Sequence, residues 1–195
     1  MNGITKNEHG KNELLFAAAF FILSCGIIIG SIYLSKINTE AVEKIKEYLD
    51  NFIQSGVESD CFAVFKSAAR ENLISFAVIF IAGFFKIGAI FSAAAVIRKG
   101  FVIGFTASSF IKIYGLKGLA VMAATMPVQL ITLPTFLFLA AMSVKFAVSG
   151  ERRDKKSLAS YIAFSLVILL LFSIAALAEG YLTTNFMRLI LPKIG

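Results

Sequence analysis

Residues 71–110 read ENLISFAVIFIAGFFKIGAIFSAAAVIRKGFVIGFTASSF. From Asn72 to Phe110 the run is almost wholly apolar. It is interrupted by Lys86, Arg98 and Lys99 and threaded with Gly83, Gly88, Gly100 and Gly104. A helix in a soluble core would not run so long without a polar face, and an ideal membrane helix would not carry those cations. The stretch therefore predicts two membrane segments, Leu73 to Ile97 and a shorter one from Phe101 to Tyr114. The compact basic turn Arg98-Lys99-Gly100 joins them, and glycines sit where helices pack closely.

The composition agrees with lipid as the main solvent. Of 195 residues, 58% are hydrophobic, and there are 20 Phe and no Trp. A mean hydropathy of +0.82 is too apolar for a soluble domain of this length. The net charge of +7 falls between apolar runs, where it sets topology and meets anionic headgroups. No basic patch interleaved with aromatics stands outside those runs, so no nucleic-acid partner is expected. Cys25 and Cys61 make no disulfide framework. The single His9 leaves no set of metal ligands, and no cofactor is expected.

Outward from the central stretch, the N-terminal side begins with a polar tail, residues 1–13. Leu14 to Leu34 follows without a charge, which is the length of a bilayer crossing. It is too long for the core of a cleavable signal, and the chain stays apolar beyond Cys25, unlike a lipoprotein. Gly26 and Gly30 form a small-xxx-small pair that favours helix packing. Residues 36–71 form the one sizeable water-exposed segment, an amphipathic helical stretch. Val42, Ile45, Leu49, Phe52 and Ile53 recur at helical spacing until Gln54-Ser55-Gly56, and acids outnumber cations. This piece lies on the membrane surface, docks a partner, or packs on the protein's own bundle.

On the C-terminal side, Leu116 to Ala147 contains Pro127 and Pro134, which predict a kink or break. Thr125, Gln129 and Thr132 stand ready to satisfy the freed backbone groups. The loop between positions 145 and 156 carries five cations against two acids, the best cytoplasmic loop in the chain. Leu158 to Ala178 is the last span and Glu179 ends it. The result is an all-α, polytopic membrane helix bundle of about five spans with kinked or broken helices. It is one integral domain over 14–195, with the N-terminus inside and residues 36–71 outside.

Each polar candidate has a structural reading beside a functional one. Lys86 is either an intramembrane cation paired with Glu179 or a lysine at a helix break that reaches the interface. Glu179 is either a buried carboxylate or a headgroup-level helix end. Asn72 caps the span it precedes. Gly83, Gly100 and Gly104 are helix contacts rather than phosphate loops, because nothing strand-like precedes them. Pro127, Gln129 and Pro134 make a packed kink or a broken-helix substrate site of the transporter kind. No nucleophile stands near a histidine and no paired intramembrane acids occur, so no enzyme activity is expected.

Taken together, these residues resemble the stage II sporulation protein M family. The resemblance runs through Val64-Phe65-Lys66 to Glu71-Asn72-Leu73, then Phe80-Ile81-Ala82-Gly83, then Arg98-Lys99-Gly100 with Gly104. It continues in Pro127-x-Gln129 with Pro134, and in Ala175 to Glu179 followed by Thr183 and Thr184. The chain departs from the pattern at Arg98-Lys99, where an Asn is frequent, at Thr132, where broader relatives carry an acid, and at Asn185, where a Pro is common. The resemblance implies a multi-pass membrane protein of sporulation, working in engulfment at the septal or mother-cell membrane. It implies a scaffold that holds the peptidoglycan-degrading stage II sporulation proteins D and P, without being the hydrolase. Its further partners would be membrane lipid and, in a homo-oligomer, its own copies. The alternative from the residues alone is a small transporter or permease subunit.

Overall fold

The computed structural model describes residues 2–58, 60–148 and 154–190. Among the described residues seven α-helices follow in order: α1 Asn2–Ser35, α2 Thr39–Glu58, α3 Cys61–Gly83, α4 Gly88–Tyr114, α5 Leu116–Val148, α6 Lys155–Ala178 and α7 Thr184–Ile190. A π-helical turn, Glu179–Thr183, joins α6 to α7. There is no strand among the described residues. Four stretches of the described residues are long and apolar enough to cross a membrane: Glu13–Ser35, Gly88–Tyr114, Thr125–Val148 and Lys155–Phe186. The fifth long bundle helix is α3. Its first half carries Lys66, Arg70 and Glu71, and its apolar half packs between α5 and α6.

The outer surface supports lipid as solvent. Phe20, Phe21, Ile28 and Ile29 on α1, Ile90 and Phe91 on α4, and Leu166, Val167 and Leu170 on α6 all face outward. A water-soluble bundle would turn such side chains inward. Only α2 among the long helices has a strongly one-sided apolar stripe. It lays Ile45, Leu49 and Ile53 on Phe110 and Val121, where α4 and α5 meet.

The core sits at the other end of the bundle, around Ile79, Val96, Phe136, Leu139 and Phe172. Polar hooks stitch it together. Ser143 donates to the Ile79 carbonyl at 2.8 Å and shares a hydrogen bond with Ser92 at 3.0 Å. The Tyr161 hydroxyl donates to the Phe80 carbonyl at 3.0 Å, and its ring lies stacked against Phe80 and Phe146. In lipid such hydrogen bonds and close contacts replace the hydrophobic drive between helices.

The α1–α4 seam shows why the glycines are there. The two helices run parallel, with Gly26 and Gly30 laid against Gly100 and Gly104. A Cβ on Gly100 or Gly104 would strike the backbone carbonyl of Leu23 or Ile27. Ser31 closes the seam, its hydroxyl 3.3 Å from the Gly104 carbonyl oxygen.

Several boundaries differ from the sequence expectation. The hairpin does not turn at Arg98-Lys99-Gly100, which lies inside α4. It turns at Phe84–Ile87, bracketed by Gly83 and Gly88, and Lys86 stands exposed at its tip. The physical reason is packing. Gly100 is needed flat against α1, whereas Gly88 must fold back on the Ala82 carbonyl, where no Cβ fits. Phe101–Tyr114 is therefore no short separate span but half of a 27-residue helix. α5 runs unbroken through Pro127 and Pro134. Hydroxyls of Thr125, Thr132 and Thr135 bond the carbonyls of Met122, Val128 and Ile131 beside the prolines. α2 continues past Gln54-Ser55-Gly56 to Glu58, and α1 takes in most of the polar tail. Arg152 and Arg153 of the basic loop, and positions 191–195 of the C-terminal tail, lie outside the described residues.

Candidate functional site: a cavity beneath the amphipathic helix

Three features build the site. α4 and α5 meet at the Ser92–Ser143 contact and again at the Gly118 contact on Phe110, and both line the cavity between those points. α2 lies across that end of the bundle, held by its apolar stripe and by a hydrogen bond from the Tyr114 hydroxyl to Asp50. α6 then leaves its regular path in the π-helical turn. Such a turn inserts an extra residue per coil and recurs at functional sites. Gly180 lets this turn approach α3, because a Cβ there would come within 2.8 Å of the Cys61 carbonyl oxygen.

Between these elements lies a cavity of about 650 Å³. Its lining reaches Asn72 on α3, Lys99 on α4 and Leu133 on α5, and goes no deeper. Beyond them the core of Ile79, Val96 and Leu139 closes the bundle. The walls are mainly apolar, with Phe105, Phe110, Met122 and Val128 prominent. Lys44, Glu71, Lys99, Gln129, Thr132, Glu179 and Thr183 are among the polar residues of the lining. Lys99 Nζ and Glu71 Oε1 form an ion pair at 3.5 Å. Asn72 is buried and its amide donates to the Phe172 carbonyl at 3.3 Å, tying α3 to α6. The Thr183 hydroxyl is buried with no hydrogen-bond partner.

The candidates named from sequence separate into groups. Glu179 and Gln129 share the cavity with Asn72. Asn72 caps nothing: it lies in the middle of α3, and its side chain spends its hydrogen bond across the helix interface. Gly100 and Gly104 belong to the α1–α4 seam, and Gly83 gives room to the Tyr161 ring. Lys86 does not meet Glu179. It sits on the turn at the Tyr161 end of the bundle, and the cations that share the Glu179 cavity are Lys99 and, from α2, Lys44. Pro127 and Pro134 flank the lining residues Val128, Gln129, Thr132 and Leu133 without breaking α5.

Sequence reasoning missed the Glu71–Lys99 pair and the unpartnered Thr183. The first had a signal. Glu71 and Lys99 lie fourteen residues to either side of Phe85. A hairpin centred between Gly83 and Gly88 brings them to one level. Thr183 stands among the residues of the family resemblance, but nothing in the sequence marks its hydroxyl as unpartnered, because that isolation follows from the π-helical turn.

The order of these features along the chain, from the glycine seam to the last threonines, fits one family. The sequence pattern of stage II sporulation protein M matches residues 17–184. The chain belongs to the stage II sporulation protein M family. That match takes in every wall of the cavity and both partners of the glycine seam. No curated protein and no solved structure matches the chain. As a member of the stage II sporulation protein M family with four membrane-crossing candidates, it is a sporulation-related membrane protein.

Proposed function

We propose that this protein is a membrane scaffold of engulfment. In this reading it holds the wall-degrading stage II sporulation proteins D and P at the septal membrane and does not cut the wall itself. The observation that carries the reading is the family match over residues 17–184. The architecture supports it. The bundle is locked by the glycine seam and by the hooks of Asn72, Ser143 and Tyr161, as a fixed platform requires. α2 presents Glu40, Glu43, Lys46 and Glu47 on an open face at one end of that platform, where a partner has access. With the loop between 145 and 156 in the cytoplasm, that end faces the space where wall enzymes work.

The test is a deletion strain carrying fluorescent D and P proteins. The scaffold reading expects engulfment to stall and both hydrolases to disperse from the septum, while the purified chain leaves peptidoglycan intact. Hydrolases correctly placed in the deletion strain would end this reading. A small-permease reading is favoured by one observation, the cavity with Glu179 at its wall. Proteoliposome flux that falls with Glu179→Gln would bring it forward, and absence of flux under any gradient would remove it.

A further inference from the structure

We propose that the outer face of α4 docks a transmembrane helix of a partner protein, and that a carboxylate near the middle of that helix pairs with Arg98. This inference stands on Arg98 and its surroundings and does not depend on the scaffold reading.

Depth comes first. Arg98 lies inside α4, within the candidate span Gly88–Tyr114. The seam fixes its level, because α1 sets Gly26 beside Ile97 and Gly100. Arg98 therefore stands level with the middle of the uncharged run Leu14–Leu34. Either end of that run is about 15 Å away at the helical rise per residue. An arginine side chain is too short to carry its guanidinium that far to water or a headgroup.

Direction comes next. Phe91, Ala94, Arg98 and Val102 recur at three- and four-residue spacing, and all four are exposed. α1, α3 and α5 pack on the other sides of α4. Among the described residues no hydrogen bond or ion pair engages Arg98. Ionisable groups within a membrane face the interior of a bundle and pair there. An outward arginine at this depth marks a bundle that still has room for one more helix.

Charge selects the partner. The Glu71–Lys99 pair brings Arg70, Glu71, Arg98 and Lys99 to one level. Glu179 shares the cavity wall with Glu71 and Lys99. Three cations then stand against two acids even when Glu179 is counted, and Lys44 from α2 only adds to the surplus. Lys99 already has Glu71 at 3.5 Å and Glu179 across the cavity, so the surplus falls on the outward arginines. A second copy of this chain, set face to face, would double that surplus. A carboxylate cancels it, and the guanidinium fork takes a carboxylate through two parallel hydrogen bonds. In hydrocarbon the segment that carries the carboxylate must be helical. Ala94 beside Arg98 lets such a helix come close, and Phe91 and Val102 pack against its side chains.

The experiment uses the full chain, with a donor fluorophore at its C-terminus, in phosphatidylcholine vesicles. The probe is an acceptor-labelled Leu-Ala transmembrane peptide with Glu at its centre. Matched peptides carry Gln at the centre, or Glu one turn from an end. Energy transfer reads association. The Glu-centred peptide is expected to associate saturably, and the other two at least about tenfold more weakly. Arg98→Leu should erase the preference for Glu over Gln. The peptide series on the parent chain tests the proposal whether or not that variant folds. No saturable transfer, equal transfer with Glu and Gln, or an undiminished preference in a folded Arg98→Leu protein would overturn it. Two other occupants are read in the same vesicles. Arg98-dependent transfer between two labelled copies of the chain would assign the face to a second copy. Loss of Glu-peptide association on adding phosphatidylglycerol would assign it to an anionic headgroup. Either result would also overturn the proposal.

Discussion

Replacing Gly104 with alanine tests the seam on which the bundle is built. A Cβ at that position would lie 2.8 Å from the Ile27 Cα and closer still to the Ile27 carbonyl, whereas ordinary contact begins near 3.4 Å. Both neighbours are backbone, so no side chain can swing aside. The carbonyl clash is the limiting one, so α1 must back away from α4 by about 1 Å, enough to forfeit up to half of each seam contact. The move also stretches the Ser31 hydroxyl away from the Gly104 carbonyl, a bond already at 3.3 Å. Overpacking of this kind costs about 1–3 kcal/mol, and an interhelical hydrogen bond in a membrane protein is worth about 0.6 kcal/mol. The expected loss for Gly104→Ala is therefore about 2 kcal/mol. It is measured by reversible unfolding in mixed micelles titrated with a denaturing detergent. Ala94→Val, on the exposed side of α4, is the control and should stay within about 0.5 kcal/mol of the parent. Gly104→Ala indistinguishable from that control would refute close backbone contact as the reason for the glycines.

Three further outcomes follow from the same contacts. Ser143→Ala removes hydrogen bonds to Ile79 and Ser92 and strands the fully buried Ser92. It should cost about 1–3 kcal/mol in the same unfolding assay, and a double Ser92→Ala, Ser143→Ala protein should recover part of that loss. Lys99→Met leaves Glu71 and Glu179 facing one cavity without their cation. Glu71 is 68% exposed, so the pair is worth about 0–1 kcal/mol, and Lys99→Met should lower the unfolding midpoint only slightly more than the pair Lys99→Met, Glu71→Gln does. Tyr114→Phe removes the hydroxyl that holds Asp50, loosening α2 while the bundle stays folded. Faster thiol labelling of a Leu49→Cys reporter with an unchanged unfolding midpoint is the expected pair of results.

Sequence alone settled the solvent and the class. Runs such as Leu14–Leu34 and Leu158–Ala178 are long and apolar, and in lipid a backbone so placed must satisfy itself as helix. The family was legible too, because Gly100, Gly104, Pro127, Pro134 and Glu179 stand in the order and spacing that resemble its pattern, and the family match covers all of them. The amphipathic stripe of Val42 to Ile53 announced α2, and Gly26 with Gly30 announced a close helix contact.

Only the tertiary structure decided where the hairpin turns and which polar groups meet. Arg98-Lys99-Gly100 has the composition of a loop, and Phe84–Ile87 does not. Packing nevertheless spends Gly100 on α1 and gives the bend to the segment between Gly83 and Gly88. That shift puts Lys99 beside Glu71, moves Lys86 away from Glu179, and turns Asn72 from a cap into a cross-helix clamp. Hydropathy is a property of single residues and survives any arrangement. A cavity is a property of several helices at once, fixed by how closely their backbones approach and where one of them changes its winding.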